Sequence, residues 1–145
     1  MTQVLCGQYR PHHFQGVTTV VNQLFTLTKP HLAYFGQKDY QQLVIITQMV
    51  KDKNISTKIK SVSIARDPDG LAMSSRNQYL SSSERQSALT LPKELRKIKE
   101  LAQQSTEKAL KYKKELIKKD NNWQYIELLD GYDLSRLSKN SSKVL

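Results

Sequence analysis

His31-Leu32-Ala33-Tyr34-Phe35-Gly36-Gln37-Lys38-Asp39 is the stretch on which the fold turns. Its first five residues form a short apolar run consistent with a buried strand, and the run leads straight into a glycine turn. A helix is expected from Tyr40 to Asp52, with Leu43, Ile46, Met49 and Val50 on one side. Strand, glycine turn and helix in this order place ligands at the carboxyl end of a parallel strand, beside a helix N-terminus. Lys38 is a point charge suited to a phosphate there. Asp39 and Gln42 admit a second account, as the N-cap and the N3 partner of a capping box. On spacing alone both accounts stand.

Downstream, Thr57 to Ile64 reads as a second strand, reached through Asn54. Strand, helix and strand then make one right-handed βαβ unit. After it comes Asp67-Pro68-Asp69-Gly70-Leu71-Ala72-Met73-Ser74-Ser75-Arg76-Asn77-Gln78-Tyr79-Leu80. Pro-Asp-Gly favours a tight turn, because Pro presets φ and Gly tolerates positive φ. Ser74, Ser75 and Arg76 can offer an anion several donors at once. A plain Ser/Arg surface loop has the same composition. Ser81 and Glu84 have capping-box spacing and mark a helix start. Both candidate loops follow strands of the βαβ unit, so both are expected at the same edge of a parallel sheet.

Upstream, Phe14, Val17, Val20, Val21, Leu24, Phe25 and Leu27 recur at helical steps, and Lys29-Pro30 ends that helix. Val17, Val20 and Val21 read locally as core. Arg10, His12 and His13 could meet an anion, or His13 could cap or pack; adjacent histidines face different ways, which argues against a shared metal site. Beyond Ser81 the chain turns helical. One helix is expected from Ser82 to about Gln103, kinked at Pro92, with Ala88, Leu91, Leu95, Ile98, Leu101 and Ala102 as its apolar stripe. A second runs from about Thr106 to Lys119 and buries Ala109, Leu110, Leu116 and Ile117. Trp123 to Leu129 reads as a short strand, Asp130-Gly131 as a turn, and Ser135 to Leu145 as a polar, frayed end.

The 145 residues suffice for an ordinary domain with its own core, and the single cysteine, Cys6, fits a reducing compartment. No apolar run reaches the length of a membrane helix and no signal-peptide pattern opens the chain, so the cytoplasm is the expected location, with no membrane partner. The formal charge of +10 raises nucleic acid or an anionic small molecule as a partner. Lys93 to Lys119 holds ten Lys/Arg against four Glu, so the excess sits mostly in a helical segment. Tyr112 is its single aromatic residue, which gives little support to a stacking platform for nucleic acid.

Three strings together resemble one family: Arg10-Pro11-His12-His13-Phe14-Gln15-Gly16-Val17, Phe35-Gly36-Gln37-Lys38-Asp39-Tyr40-Gln41-Gln42-Leu43, and Arg66 through Leu80. In order and spacing they are similar to pantothenate synthetase (pantoate–β-alanine ligase) from about residue 5 to residue 90. The resemblance implies an α/β chain, part of a Rossmann-like nucleotidyltransferase (adenylating) fold, with a mostly helical, α+β C-terminal domain. It implies residues 1–80 as the C-terminal part of the nucleotide-binding domain and 81–145 as the helical domain with a short strand. ATP and Mg²⁺ are the implied cofactors, and pantoate and β-alanine the other substrates. Gly36, Gln37, Lys38, Asp39, Ala65, Met73, Ser74, Ser75 and Arg76 match the ATP-binding positions, Lys38 and Arg76 also as catalytic groups. Gln42, Val17, Val20, Val21 and Phe35 match the pantoate pocket. No residue is implied as a metal ligand.

There are departures. The family's His-x-Gly-His string is absent, Gln37 stands where the family has Glu, and His12 where it usually has Gly. The chain is therefore expected to be an internal piece of the enzyme, incomplete at both ends and inactive alone, with a homodimer and a separate N-terminal half as partners. Two other readings are a basic helical module for nucleic acid or acidic protein, built on Lys93–Lys119, and a non-functional remnant.

Overall fold

The computed structural model describes residues 1–120 and 123–137. Contacts divide the chain into two units, Met1–Ser63 together with the segment from Leu129, and Ile64–Leu128.

In the first unit a short helix α1 (Cys6–Tyr9) stands where the sequence reads as loop, followed by α2 (His13–Thr28). Threonine is a poor helix former because its hydroxyl competes for backbone bonds. Here the hydroxyls of Thr18, Thr19, Thr26 and Thr28 donate to carbonyls three or four residues back, which keeps that competition inside the helix. Lys29 ends α2 in the left-handed region at φ 44°, and Pro30 prevents its continuation. Strand β1 (Leu32–Gly36) follows, then a 3₁₀ turn over Gln37–Asp39, then α3 (Tyr40–Asp52). Asn54, at φ 51°, turns the chain towards β2 (Lys58–Val62). The strands pair in parallel, with Leu32 opposite Lys58 and Gly36 opposite Val62. The expected strand–helix–strand order is thus realised. Thr57, buried just before the ladder, donates its hydroxyl to the Pro30 carbonyl at 2.8 Å.

Strand periodicity decides what β1 buries. Ala33 and Phe35 pack with Val17, Val21, Val50, Ile55 and Ile59 against the buried Phe25, Ile46 and Met49, whereas Tyr34 stays 67% exposed. Helix α3 is buried more widely than a one-sided stripe, because a second cluster forms on Val44, with Leu129, Leu134, Val4, Leu5 and Tyr40. The Tyr40 hydroxyl donates to the Gly131 carbonyl at 2.8 Å, tying the late segment to α3. Asp130 and Gly131 enter the expected turn, closed by the Leu134 N–H donating to the Asp130 carbonyl.

In the second unit, residues 65–73 fold back on themselves through an antiparallel bridge between Arg66 and Ala72, and a 3₁₀ turn covers Ser75–Tyr79. Helices α4 (Ser82–Ala88), α5 (Thr90–Gln104) and α6 (Thr106–Lys119) come next. The single helix expected from Ser82 is two, broken at Leu89 rather than bent at Pro92. Proline clashes with the carbonyl four residues earlier, here Ala88, and gives it no N–H. Ile98 on α5 and Ala109 on α6 are buried, while Leu91, Leu95 and Leu110 remain more than 40% exposed. The expected strand from Trp123 does not form: Trp123–Leu128 is irregular, and Leu129 enters an isolated antiparallel bridge to Arg136. Instead Ile126 and Leu128 are buried as irregular chain. The frayed end predicted from Ser135 falls mostly outside the described residues. Among those described, no helix is long and apolar enough to cross a membrane.

Candidate functional site

The first candidate element is the turn between β1 and α3. Register sets Gly36 beside Val62, so the chain leaves both strands at one edge of the sheet. Gln37 fastens the two exits together, its Nε2 donating to Ser61 Oγ at 3.3 Å. A Glu at this position would have to accept from that hydroxyl instead and would bring a negative charge. Gly36 has an ordinary φ of −71°, and a Cβ built on it would meet nothing within 4 Å. The chain's own packing therefore does not require glycine, and the space beside the backbone is open to a ligand.

Lys38 and Asp39 are exposed, and neither side chain has a partner among the described residues. Asp39 occupies the N-cap of α3 but makes no side-chain capping bond. The capping box weighed for Asp39 and Gln42 is therefore not formed, because the preceding 3₁₀ turn brings the chain into α3 at a non-extended N-cap (φ −99°, ψ 59°). This leaves the half-buried Gln42 amide, one turn into α3, without a hydrogen bond among the described residues. Of the apolar candidates, Val17, Val21 and Phe35 border the Phe25–Ile46–Met49 cluster, whereas Val20 is 57% exposed and lies outside it. Local expectation of a core role for Val20 fails because α2 turns that face to solvent.

Other candidates of this unit lie along α2. Arg10, His12, Phe14, Gln15 and Thr18 line an open cleft of about 660 Å³, but Arg10 also reaches Cys6 Sγ at 3.9 Å. His12 approaches Gln15 Oε1 at 3.3 Å, and His13 packs its ring against Phe14, with centroids 4.9 Å apart. Among the described residues no group of three His, Cys, Asp or Glu could hold a metal ion.

The second element belongs to the other unit. Gly70, at φ 92°, closes the Pro-Asp-Gly turn with its N–H donating to the Asp67 carbonyl at 2.8 Å. That positive φ is the conformation glycine alone adopts without strain. The Met73 N–H donates to the Ala65 carbonyl at 2.9 Å, so the backbones of two expected ATP contacts are joined to each other. Ser74 then caps the 3₁₀ turn, its Oγ accepting from the Arg76 N–H at 3.3 Å. Asn77 Nδ2 donates to the Ala72 carbonyl at 3.0 Å and holds the turn to the hairpin. Ser75 and Arg76 are exposed, and the Arg76 guanidinium has no partner among the described residues. The outcome is a rigid backbone with its cation left free.

Sequence reading missed what anchors this loop. The Ser81–Glu84 capping box forms as expected, with Ser81 N–H to Glu84 Oε2 at 2.8 Å. It starts α4 so that Arg85 falls in the last turn of this short helix, where Nε reaches Asp69 Oδ2 at 2.7 Å and Nη2 reaches Asp67 Oδ2 at 2.9 Å. The Leu71 N–H, then Arg85, hold the Asp69 carboxyl below its usual range, and the two carboxylates push the Arg85 guanidinium up. The signal available beforehand was the Asp-x-Asp turn a short distance before a well-defined helix start.

The basic segment gives a contrasting picture. Its Lys and Arg side chains are exposed except Lys113, which pairs with Glu127 at 2.6 Å. Tyr112 is half-buried and donates to Glu94 Oε2 at 2.6 Å, a bond that raises its phenol pKa. The Tyr112 hydroxyl thus joins α6 to α5.

The family model for pantoate-beta-alanine ligase matches residues 1–145. The pantothenate synthetase of Acetivibrio thermocellus is 45% identical over an alignment covering all of this chain and 53% of that protein. That of Thermotoga petrophila is 44% identical over all of this chain and 54% of its own length. The crystal structure of pantothenate synthetase from Thermus thermophilus superposes with a TM-score of 0.85 at 40% identity, over 94% of this chain and 51% of that one. The pantoate-beta-alanine ligase of Francisella tularensis, solved in complex with β-γ ATP and β-alanine, gives a TM-score of 0.60 at 45% identity over 66% of this chain and 36% of that one. The chain spans about half the length of the curated relatives it matches. With an α/β fold of a small parallel sheet and helices, and a family match running its full length, the chain belongs to the pantoate-β-alanine ligase family.

Proposed function

We propose that this chain carries the ATP- and pantoate-binding residues of a ligase that joins pantoate to β-alanine in the cytoplasm. The observation that supports this best is that Lys38 and Arg76 are both exposed without partners among the described residues, each on a hydrogen-bonded turn whose sequence resembles the family's ATP-binding strings. The Francisella tularensis relative was solved with an ATP analogue and β-alanine, which fits the same reading. The fold is then part of a Rossmann-like nucleotidyltransferase, with residues 1–80 serving the nucleotide and Ser82–Lys119 supplying the helices α4 to α6.

In the first step the pantoate carboxylate attacks the α-phosphorus of ATP, and pyrophosphate departs. The β-alanine amine then attacks the acyl carbon of pantoyl adenylate, and AMP departs. Negative charge grows on the phosphate oxygens in the first step. Lys38, Arg76 and the hydroxyls of Ser74 and Ser75 stabilise it, as preorganised donors do where charge develops. Gly36 lets the nucleotide approach the backbone, with Gln37, Asp39, Ala65 and Met73 completing its contacts. Gln42, a neutral amide left unbonded by the absent capping box, holds pantoate without neutralising the attacking carboxylate. Val17, Val21 and Phe35, which border one apolar cluster, form the apolar side of that pocket and keep water from a hydrolysable acyl adenylate, whereas Val20 faces solvent.

Mg²⁺ is commonly held by one or two carboxylates together with substrate phosphates. Asp39 is the carboxylate of the first turn that would hold it; the ion would neutralise phosphate charge. The family's His-x-Gly-His string is not among these 145 residues, and the adenylation step would draw on it.

Pantoate titration in the presence of saturating ATP tests the proposal. Pantoate should bind the wild-type chain and fail to bind Gln42→Leu, with ATP affinity unchanged. Equal pantoate affinity in the two proteins, or none in either, would overturn it.

A further inference from the structure

We propose that Arg85 is a positioning residue for the Ser74–Arg76 loop, acting through the Asp67–Gly70 turn. The inference rests on the nucleotide reading above and adds a residue that contacts no substrate.

A chain of hydrogen bonds runs outward from α4. Glu84 closes the capping box on Ser81, which fixes the first turn of the helix and the direction in which Arg85 leaves it. The planar guanidinium then spans two carboxylates at once, Asp69 at 2.7 Å and Asp67 at 2.9 Å. A guanidinium has the fork geometry for this bridge, and an ammonium does not. Asp69 is further held by accepting from the Leu71 N–H at 3.2 Å, and Asp67 by its N–H donating to the Leu71 carbonyl at 2.8 Å. Arg66 Nη1 donates to the Gly70 carbonyl at 2.9 Å on the same turn. Every one of these bonds stiffens the hairpin tip.

The returning arm of that hairpin is Ala72-Met73, which continues directly into Ser74. Met73 is bonded to Ala65 across the hairpin, and Asn77 is bonded back to Ala72. The position of the loop is therefore set by the hairpin, and the hairpin tip is set by Arg85. Without the guanidinium, two neighbouring carboxylates on one turn would repel, and the cheapest relief is to open the turn. Ser74, Ser75 and Arg76 would keep their chemistry and lose their placement. Phosphate recognition is sensitive to such small displacements.

The experiment measures ATP and pantoate affinities of the whole chain by calorimetry, with amide exchange at Gly70–Arg76 and thermal unfolding alongside. Arg85→Ala should weaken ATP binding about tenfold, the scale of one charge-assisted contact. Pantoate affinity should stay within twofold, because Gln42 is on the other unit. Arg85→Lys should recover only part of the loss, and Asp69→Asn should reproduce it in a chain that keeps Arg85. Exchange should quicken at Leu71 and Met73 and not in α3. An Arg85→Ala protein that opens the hairpin by exchange yet binds ATP as wild type does would overturn the assignment, as would equal losses of ATP and pantoate affinity. If wild-type ATP binding depends on Arg76 and not on Arg85 or Asp69, the positioning role alone falls. If the wild type binds no ATP, the nucleotide reading falls and takes this role with it.

Discussion

Replacing Lys38 with alanine isolates the phosphate contact from the stability of the fold. Lys38 is exposed on the 3₁₀ turn after β1, and its ammonium has no partner among the described residues. Its removal therefore leaves no buried group unsatisfied, and surface changes of this kind alter stability by within about 0.5 kcal/mol. A hydrogen bond to a charged group contributes about 1.5–3 kcal/mol. At 1.4 kcal/mol per decade, loss of one such bond to a phosphate weakens ATP binding by roughly 10- to 100-fold. The contact is exposed and ionic, so the difference between the two proteins should shrink as salt rises from 0.05 to 0.5 M, chosen as round values on either side of a Debye length of about 10 Å at 0.1 M. Calorimetric titration with ATP, beside urea unfolding of the same samples, reads both quantities. A Lys38→Ala protein of wild-type stability whose ATP affinity lies within twofold of wild type would refute the role given to this turn.

Ile46 is fully buried between α2 and the sheet, and Ile46→Ala should cost about 2–5 kcal/mol in urea unfolding, with the denaturant slope unchanged. Glu84 and Asp69 both have carboxyl groups held below their ordinary range, Glu84 chiefly by the Ser81 hydroxyl and Asp69 chiefly by the Leu71 N–H. Such groups contribute stability that is present above the unfolded-state pKa, about 4, and is lost as pH falls through the lower folded-state value. Thermal unfolding at pH 7 down to pH 2.5 should therefore show an acid loss that is smaller in Glu84→Gln, and an unaltered acid profile in that variant would contradict it. Pro92→Ala should let residue 92 donate to the Ala88 carbonyl and join α4 to α5, seen as slowed amide exchange at position 92 and added helical circular dichroism. Pure chain given pantoate, β-alanine, ATP and Mg²⁺ should yield no pantothenate by mass spectrometry, and detection of product would overturn the dependence on a His-x-Gly-His partner.

Periodic segments were readable because their apolar residues face one side. Helices α2, α3 and α6 fall within a residue of their sequence-based ranges, and β1 pairs with β2 in parallel as the strand–turn–helix–strand order requires. The Ser81–Glu84 box was equally plain, since its chemistry is local. Features that depend on distant partners were not legible. The same spacing in Asp39 and Gln42 made no box, because backbone geometry after the turn, not residue type, decides whether a side chain can cap. Trp123–Leu128 has strand composition and is irregular chain. Leu91, Leu95 and Val20 lie on helical stripes yet remain exposed, since periodicity gives a face and not what covers it. Arg85 escaped notice because its value lies in reaching back across a hairpin that composition cannot place.

Amide spectra of the isotope-labelled chain recorded during an ATP titration bear most directly on the central claim. That claim sets two phosphate-binding loops, Gly36–Asp39 and Met73–Arg76, against a basic helical surface as the place where anions are recognised. Shifts should appear at Gln37, Lys38 and Asp39 and at Ser74, Ser75 and Arg76. Shifts confined to Lys93–Lys119, with both loops silent, would contradict the account.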